Sequence, residues 1–348
     1  MKRKSIITYL FLIVSACFAY GQEGQFSQYF ASSALLNPAF TGTIPNLSFN
    51  SNYKRGGNIN QPSFLELMQV TFTYPLKRTT SKDFQVGGAG ISFFQERRGF
   101  QGVYNTKKIL LTGSYAIRLS RLTNQSVVFG LQGGIAEHRI DGSSLEWGSQ
   151  FNRFYGFDDS LSGENLGSDP LFYPTFNFGV IYSSFDNENR HVRDKSFMAG
   201  ISVDNLNRPN ISFGGAEDAR KSFLFKAFSS AKLPISPRWY MHPSVYALYS
   251  QGNEQINAGL YMSTFVSSPR AKTGVELQFG SWYRLEDSII VLAGFQIENL
   301  RLGFSFDLNT QSFDINEESG GSLPTYEVSL TYNLDLSTPL RNISSPIF

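Results

Sequence analysis

The sequence predicts a transmembrane antiparallel β-barrel of about 14 strands, an all-β fold, and three observations carry that expectation. Apolar and polar residues alternate over stretches of roughly ten residues, the length a tilted strand needs to cross hydrocarbon. Aromatic residues make up 15% of the chain, with 32 Phe and 17 Tyr, while charged residues make up only 17%. The chain also opens with an apolar run too short to span a bilayer, laid out as an export signal.

That opening comes first in order. Lys2, Arg3 and Lys4 precede an apolar run from Ser5 to Ala16. Ala19 and Gly21 supply the small residues a general signal peptidase needs, which sets the mature terminus at Gln22. A second reading takes Val14-Ser15-Ala16-Cys17 as a lipoprotein signal with lipid on Cys17. Either route leads to the bacterial outer membrane, and the organisation expected is 1–21 signal peptide, 22–46 an N-terminal extended segment and 47–348 the barrel. The signal holds three basic residues and no acidic one, so its removal takes the balance from 30 basic against 28 acidic to 27 against 28. A nearly neutral chain has no basic field for nucleic acid. With Cys17 the only cysteine, a mature chain starting at Gln22 has neither disulfides nor thiolate chemistry.

Strands are expected at 47–53, 64–74, 85–95, 106–120, 125–139, 173–185, 196–205, 222–233, 239–251, 256–264, 273–283, 288–297, 300–310 and 325–334. The fourth shows the rule: Ile109, Leu111, Gly113, Tyr115, Ile117 and Leu119 alternate with Leu110, Thr112, Ser114, Ala116 and Arg118. The fifth sets Val127, Phe129, Leu131 and Ile135 against Ser126, Gly130, Gln132 and His138. The last two repeat it, with Leu302, Phe304 and Phe306 against Arg301, Ser305 and Asp307, and Val328, Leu330 and Tyr332 against Glu327, Ser329 and Thr331. An even strand number returns both termini to the periplasmic side, and the connections then expected outside, 140–172 above all, outweigh those expected inside, as outer-membrane barrels require. The lumen of so large a barrel is too wide for wall side chains alone to fill. Residues 22–46 and the 140–172 loop are the expected occupants, and an unfilled lumen makes the alternative, a diffusion channel or small-solute transporter.

The segment ahead of the first strand holds Gln25-Phe26-Ser27-Gln28-Tyr29 and then Asn37-Pro38-Ala39-Phe40-Thr41-Gly42. Asn37-Pro38 favours a turn or extended backbone, Gly42 permits a sharp redirection, and Phe26, Tyr29 and Phe40 can pack in the barrel mouth. The candidate residues for a plug, or for docking a partner, are therefore Gln25, Phe26, Ser27, Gln28, Tyr29, Asn37, Pro38, Phe40 and Gly42. In the 140–172 loop, Trp147, Phe151, Phe154, Tyr155 and Phe157 either pack into the lumen or anchor a surface partner. Asp158, Asp159, Glu164 and Asp169 read as a solvated acidic loop, with calcium binding as the alternative, though their spacing fits no EF-hand. Catalysis needs convergent groups, and His138, His191 and His242 stand at unrelated spacings that make no zinc signature. No enzyme activity, metal or other cofactor is expected.

These N-terminal motifs resemble the opening of the PorP/SprF family, which is associated with type IX secretion and gliding motility. The resemblance extends to Ala199-Gly200-Ile201-Ser202-Val203-Asp204-Asn205-Leu206-Asn207-Arg208-Pro209, to Gly294-Phe295-Gln296-Ile297 and to Gly303-Phe304-Ser305-Phe306-Asp307. It departs at Gly321-Ser322-Leu323-Pro324-Thr325-Tyr326-Glu327, where a shorter Gly-Ser-His-Glu pattern is expected, so no histidine role carries over. The resemblance implies an outer-membrane protein that helps export or hold surface proteins bearing a C-terminal sorting domain, often adhesins. Its implied partners are lipid, such a client and other type IX secretion components.

Overall fold

Alternation becomes a wall because each strand can expose one face to lipid and one to the lumen only if every backbone group pairs with a neighbour. In the computed structural model the chain does this with β1 (Leu47–Gly56), β2 (Ser63–Lys77), β3 (Gln85–Phe100), β4 (Tyr104–Ser120) and β5 (Gln125–Ile140). After a loop hairpin, β6 (Phe151–Asn152) with β7 (Gly156–Phe157), come β8 (Leu171–Asp186), β9 (Lys195–Asp204), β10 (Leu224–Pro234), β11 (Trp239–Ser250) and β12 (Asn253–Phe265). The last four are β13 (Val275–Arg284), β14 (Ser288–Ile297), β15 (Leu300–Asn309) and β16 (Thr325–Leu334). The residues described are 24–57, 63–77, 85–120, 124–142, 145–152, 154, 156–158, 160, 161, 163, 169–186, 195–212, 219–251, 253–266, 274–310 and 324–334. The expected signal peptide with Cys17, and Tyr155, Asp159, Glu164 and His191, lie outside them.

All strands but β6 and β7 form one closed barrel of antiparallel neighbours, shut where β1 meets β16 with Leu47 opposite Leu334 and Gly56 opposite Thr325. Each of the 14 expected strands is present. The three longest connections, 141–170, 205–223 and 310–324, stand at one end, called here the long-loop end, which is the outer end in barrels of this class. The strands tilt: following pairs from Ser48 through Thr73, Gly90, Thr112, Gln132 and Asn177 leads from the short-turn end of β1 to the long-loop end of β9, where Phe178 faces Val203.

Burial follows the alternation with the sign of a membrane wall. Leu111, Leu131 and Ile201 are 63%, 65% and 65% exposed, whereas the intervening Thr112, Gln132 and Ser202 are buried. Such an outer face would be costly in water and is favourable in hydrocarbon. Among the described residues no helix is long and apolar enough to cross a membrane.

Two expectations change. Lys54 and Arg284 fall in connections on the sequence reading, yet both are strand residues, because β1 and β13 run on to Gly56 and Arg284. The segment before β1 is also not extended. Its backbone runs through turns, a short helix α1 (Ser33–Leu36) and a 3-10 helix (Pro38–Gly42). A strand inside a closed barrel finds no free edge, so the segment satisfies its amides locally, as in Leu36 N to Ser32 O and Thr43 N to Phe40 O.

Candidate functional site

Residues 24–43 thread the lumen from the long-loop half, near β3, to the short-turn mouth, and most are buried. The 3-10 helix forms where the sequence sets it: Asn37 is its N-cap, with Oδ1 accepting from Ala39 N at 2.9 Å, and Pro38 presets the first turn. The Asn37 amide also donates to Val180 O at 3.2 Å and Ile201 O at 2.9 Å, tying the cap to β8 and β9. Three wall glycines make its seat. A Cβ on Gly179 would lie 2.0 Å from Asn37 Oδ1, one on Gly130 2.2 Å from Ala39 N, and one on Gly88 1.9 Å from Thr41 O. Phe40 stacks on Phe228 at 5.0 Å, and Ser202 Oγ donates to Leu36 O at 2.8 Å.

The QFSQY stretch alternates between apolar and polar anchorage. Phe26 packs edge-on to Phe94, with Leu67 beside them. Tyr29 stacks on Tyr246 at 5.1 Å, and its hydroxyl donates to Ser244 Oγ at 2.6 Å. Burial pushes the Tyr29 phenol up to about 12, so it stays a neutral donor. Between them, Ser27 and Gln28 enter a buried charged cluster. The Ser27 hydroxyl donates to Asp307 Oδ2 at 2.6 Å and accepts from Lys54 Nζ at 2.6 Å and Arg284 Nη2 at 3.2 Å. Lys54 and Arg284 also pair with Asp307 at 3.2 and 3.3 Å. Ser27 N donates to Glu327 Oε2 at 2.6 Å, Gln28 Nε2 donates to Ser305 Oγ at 3.2 Å, and Gln28 Oε1 accepts from Ser329 Oγ at 2.6 Å. Two cations thus face Asp307 and Glu327 across the plug, and Arg284 pairs with Asp287 as well at 2.9 Å, so that each buried cation has a carboxylate partner.

Beside residues 24–36, the long-loop halves of β3, β4, β8, β10 and β11 leave a basin of about 740 Å³, its open mouth included. Its apolar lining includes Phe94, Leu110, Leu224 and Leu248, and Lys108 and Lys226 stand among its polar groups.

The family described as type IX secretion system membrane protein PorP/SprF matches residues 19–332. The chain belongs to this family. No curated protein matches the sequence. Among solved structures, the CymD monoaromatic hydrocarbon channel is 10% identical, with 87% of this chain and 93% of that one covered, at a TM-score of 0.43. A Pseudomonas aeruginosa FadL homologue is 12% identical over 88% and 94%, at 0.39. CdiB from Acinetobacter baumannii is 6% identical over 83% of this chain, at 0.41, and this chain spans only 60% of its length. These likenesses concern architecture, and no activity is transferred from them.

In this PorP/SprF barrel the structure brings Phe26, Ser27, Gln28, Tyr29, Asn37, Pro38, Phe40 and Gly42 together inside the lumen, all buried, with Gln25 half-buried beside them. It does not bring the loop aromatics to them. Phe151, Phe154 and Phe157 are exposed, Phe154 at 86%, and the tiny β6–β7 hairpin rests on a Phe151–Phe157 contact of 5.6 Å, so the lumen-packing alternative for this loop does not hold for them. A two-residue ladder on a long loop has no wall strand to carry it inward. Trp147 is half-buried, against Gly163. Asp158 accepts from Ser160 N and Oγ at 3.0 and 2.6 Å, and among the described residues no three metal-ligating side chains converge. His138 lies against Thr106 at 2.8 Å and His242 against Ser263 at 3.0 Å. The sequence reading missed the charged cluster and the glycine seat. The signal available for both was the inward phase of the alternation, which carries Lys54 after Asn50 and Asn52, and Gly130 beside Gln132.

Proposed function

We propose that this barrel supports secretion or cell-surface attachment of specific exported client proteins, adhesins with C-terminal sorting domains, in the outer membrane of a bacterium with type IX secretion and gliding motility. Export by the N-terminal signal peptide brings it there, and lipid and other type IX secretion components are its remaining partners. Residues 24–43 act as a plug, so the barrel works as a scaffold and not as a conduit. The client meets the long-loop end, where the basin and the exposed Phe151, Phe154 and Phe157 offer recesses and anchors, with Trp147 and Tyr155 in the same loop. The observation that carries this reading is membership of a type IX secretion membrane family joined to a lumen held by the chain's own N-terminal segment. The transport reading requires an open lumen, and a segment fixed to β8, β9, β15 and β16 by its own hydrogen bonds supports the scaffold instead.

Deleting the gene and assaying surface display of each candidate adhesin tests the proposal. Loss of display of at least one client is expected, and unchanged display of all of them would defeat it.

A further inference from the structure

On its outward face the wall changes character at one place. Ladder register sets Tyr326, Arg55, Glu66, Arg97, Asn105 and Arg139 directly opposite one another, in that order, across β16, β1, β2, β3, β4 and β5 near the long-loop end. Four residues nearer the short-turn mouth, the same strand faces carry Leu330, Val70, Phe93, Ile109 and Ile135, and Ile109 and Ile135 are 55% and 61% exposed. Between the two rows Lys107 stands opposite Glu137. The apolar band therefore gives way to a charged row on the same faces. Its charges are partly matched. Glu66 accepts from Arg97 Nη1 at 3.3 Å and from the Tyr53 hydroxyl at 3.0 Å, and Glu137 lies 3.8 Å from Lys107. The Arg97 and Lys107 side chains remain 40% and 41% exposed, and Arg139 is exposed as well. From the strands on either side of β2, the guanidinium carbons of Arg55 and Arg97 lie 5.1 and 5.5 Å from the centre of one ring, Phe64, which holds two cations at one point. Four cations thus stand with two carboxylates. At the same end of β11–β15 the outward residues are Tyr249, Glu254, Tyr283, Ile289 and Leu308, without a cation, so the excess belongs to one side of the barrel.

We propose that this face of β1–β5 is a binding site for an outer-leaflet lipid whose headgroup carries phosphate. The phosphate lies toward Arg55 and Arg97, Lys107 and Arg139 extend the field, and the acyl chains run down Val70, Phe93 and Ile109. The place selects the occupant: a row of cations on strand faces that meet hydrocarbon is reached by a molecule whose tails already lie there. Guanidinium forks match phosphate oxygens, and basic residues at a membrane surface attract anionic headgroups. This rests on the reading of the chain as an outer-membrane barrel with its long-loop end outward, and it gives the lipid partner of that reading a site and a chemical class.

The probes are dioleoyl phosphatidic acid and dioleoylglycerol, which share acyl chains and differ by the phosphate, titrated onto the purified full-length barrel in an uncharged detergent and read by native mass spectrometry. Phosphatidic acid is expected to bind at least about tenfold more tightly. The double variant Arg97→Gln with Arg139→Gln should lose about tenfold in that affinity at the parent melting temperature. Should the pair lower the melting temperature, Arg139→Gln alone, at an exposed position, should still lose about threefold. Lys195→Gln with Arg238→Gln removes the same charge from exposed positions at the short-turn end and should leave binding at the parent level. Equal binding of the two lipids, no loss in the Arg97 and Arg139 variants, or an equal loss in the Lys195 and Arg238 pair each overturns the proposal. So does full displacement by inorganic phosphate at constant ionic strength, which would mark a small-anion site. Surface display reads the client role separately. Display lost on gene deletion without any preference for phosphatidic acid defeats this site alone, whereas that preference with display intact upholds the site and defeats the client role.

Discussion

At the scale of single residues, the plug is held by contacts that tolerate little change, and the glycines show it most directly. Gly130 and Gly179 have no space for a methyl group because Ala39 N and Asn37 Oδ1 lie about where it would go, 2.2 and 2.0 Å away. Gly113, on the lipid side of β4, would meet nothing within 4 Å. Gly130→Ala and Gly179→Ala should each cost roughly 1–3 kcal/mol in urea unfolding of the detergent-solubilised barrel, and Gly113→Ala close to none. Matching unfolding curves for all three would mean the seat is not where the segment is held. The charged cluster gives a second comparison. Asp307→Asn leaves Lys54 buried against a neutral amide and Arg284 with Asp287 as its remaining ion-pair partner, and should cost about 3–5 kcal/mol, whereas Ser27→Ala, which keeps the ion pairs, should cost nearer 1 kcal/mol. The reverse ranking would place the energy in the Ser27 hydroxyl and not in the charges.

At the scale of elements, a strand and a loop answer different questions. Strand β4 is defined by its two faces, and Leu111, 63% exposed, stands on the lipid side of its middle. Leu111→Lys should cost about 2–4 kcal/mol and lower the folded fraction recovered from envelopes, read as heat-modifiable mobility on gels. If the fraction is unchanged, that face does not meet hydrocarbon. The β6–β7 hairpin makes the opposite case, since the contacts it shows, Phe151 with Phe157 and Asp158 N with Gln150 O, are internal to its loop. Phe154→Ser combined with Phe157→Ser should leave unfolding unaltered and reduce client retention at the surface. A lowered melting temperature would return these rings to a packing role. Element scale is also where the sequence was easiest to read. Period two survives in any strand with lipid on one side and a lumen on the other, so all 14 wall strands could be found from local pattern. The plug's position followed from aromatic and polar residues with no strand of their own, but its shape did not, because helical turns there depend on the closed wall denying it an edge. Its partners were harder still: Ser27 meets Lys54, Arg284, Asp307 and Glu327, which are brought together from four different strands by closure and register. Lys54 and Arg284 also sit at strand ends, where local alternation loses its signal and a charge reads as a loop residue.

At the scale of the whole molecule, the question is whether the barrel is a pore with a stopper or a scaffold whose interior is core. The wall has the inward polar residues of a channel, yet Ser92, Gln69, Thr71 and Thr73 are as inaccessible as the apolar ones around Tyr29 and Phe40. Inward polarity in this chain is spent on the plug and on neighbouring wall side chains: Gln132 reaches Ala34 O and Thr112, and Thr71 reaches Ser92. With residues 24–43 threading the lumen and bonded to its wall, the intact protein in planar bilayers should give no steady current. Removing the stopper should reveal the pore the wall could otherwise form. A chain lacking residues 24–43 leaves the lumen of a 14-strand barrel without that filling, and such a lumen is wider than wall side chains can close. It should conduct in steps absent from the parent. Because the deletion can impair folding, Gly130→Ala and Asp307→Asn serve as milder versions that loosen the plug at its two ends, and they should produce brief openings whose frequency rises with urea. Steady conductance in the unmodified protein would instead make the N-terminal segment a lining of the channel, and silence in the folded deletion variant would assign closure to the loops.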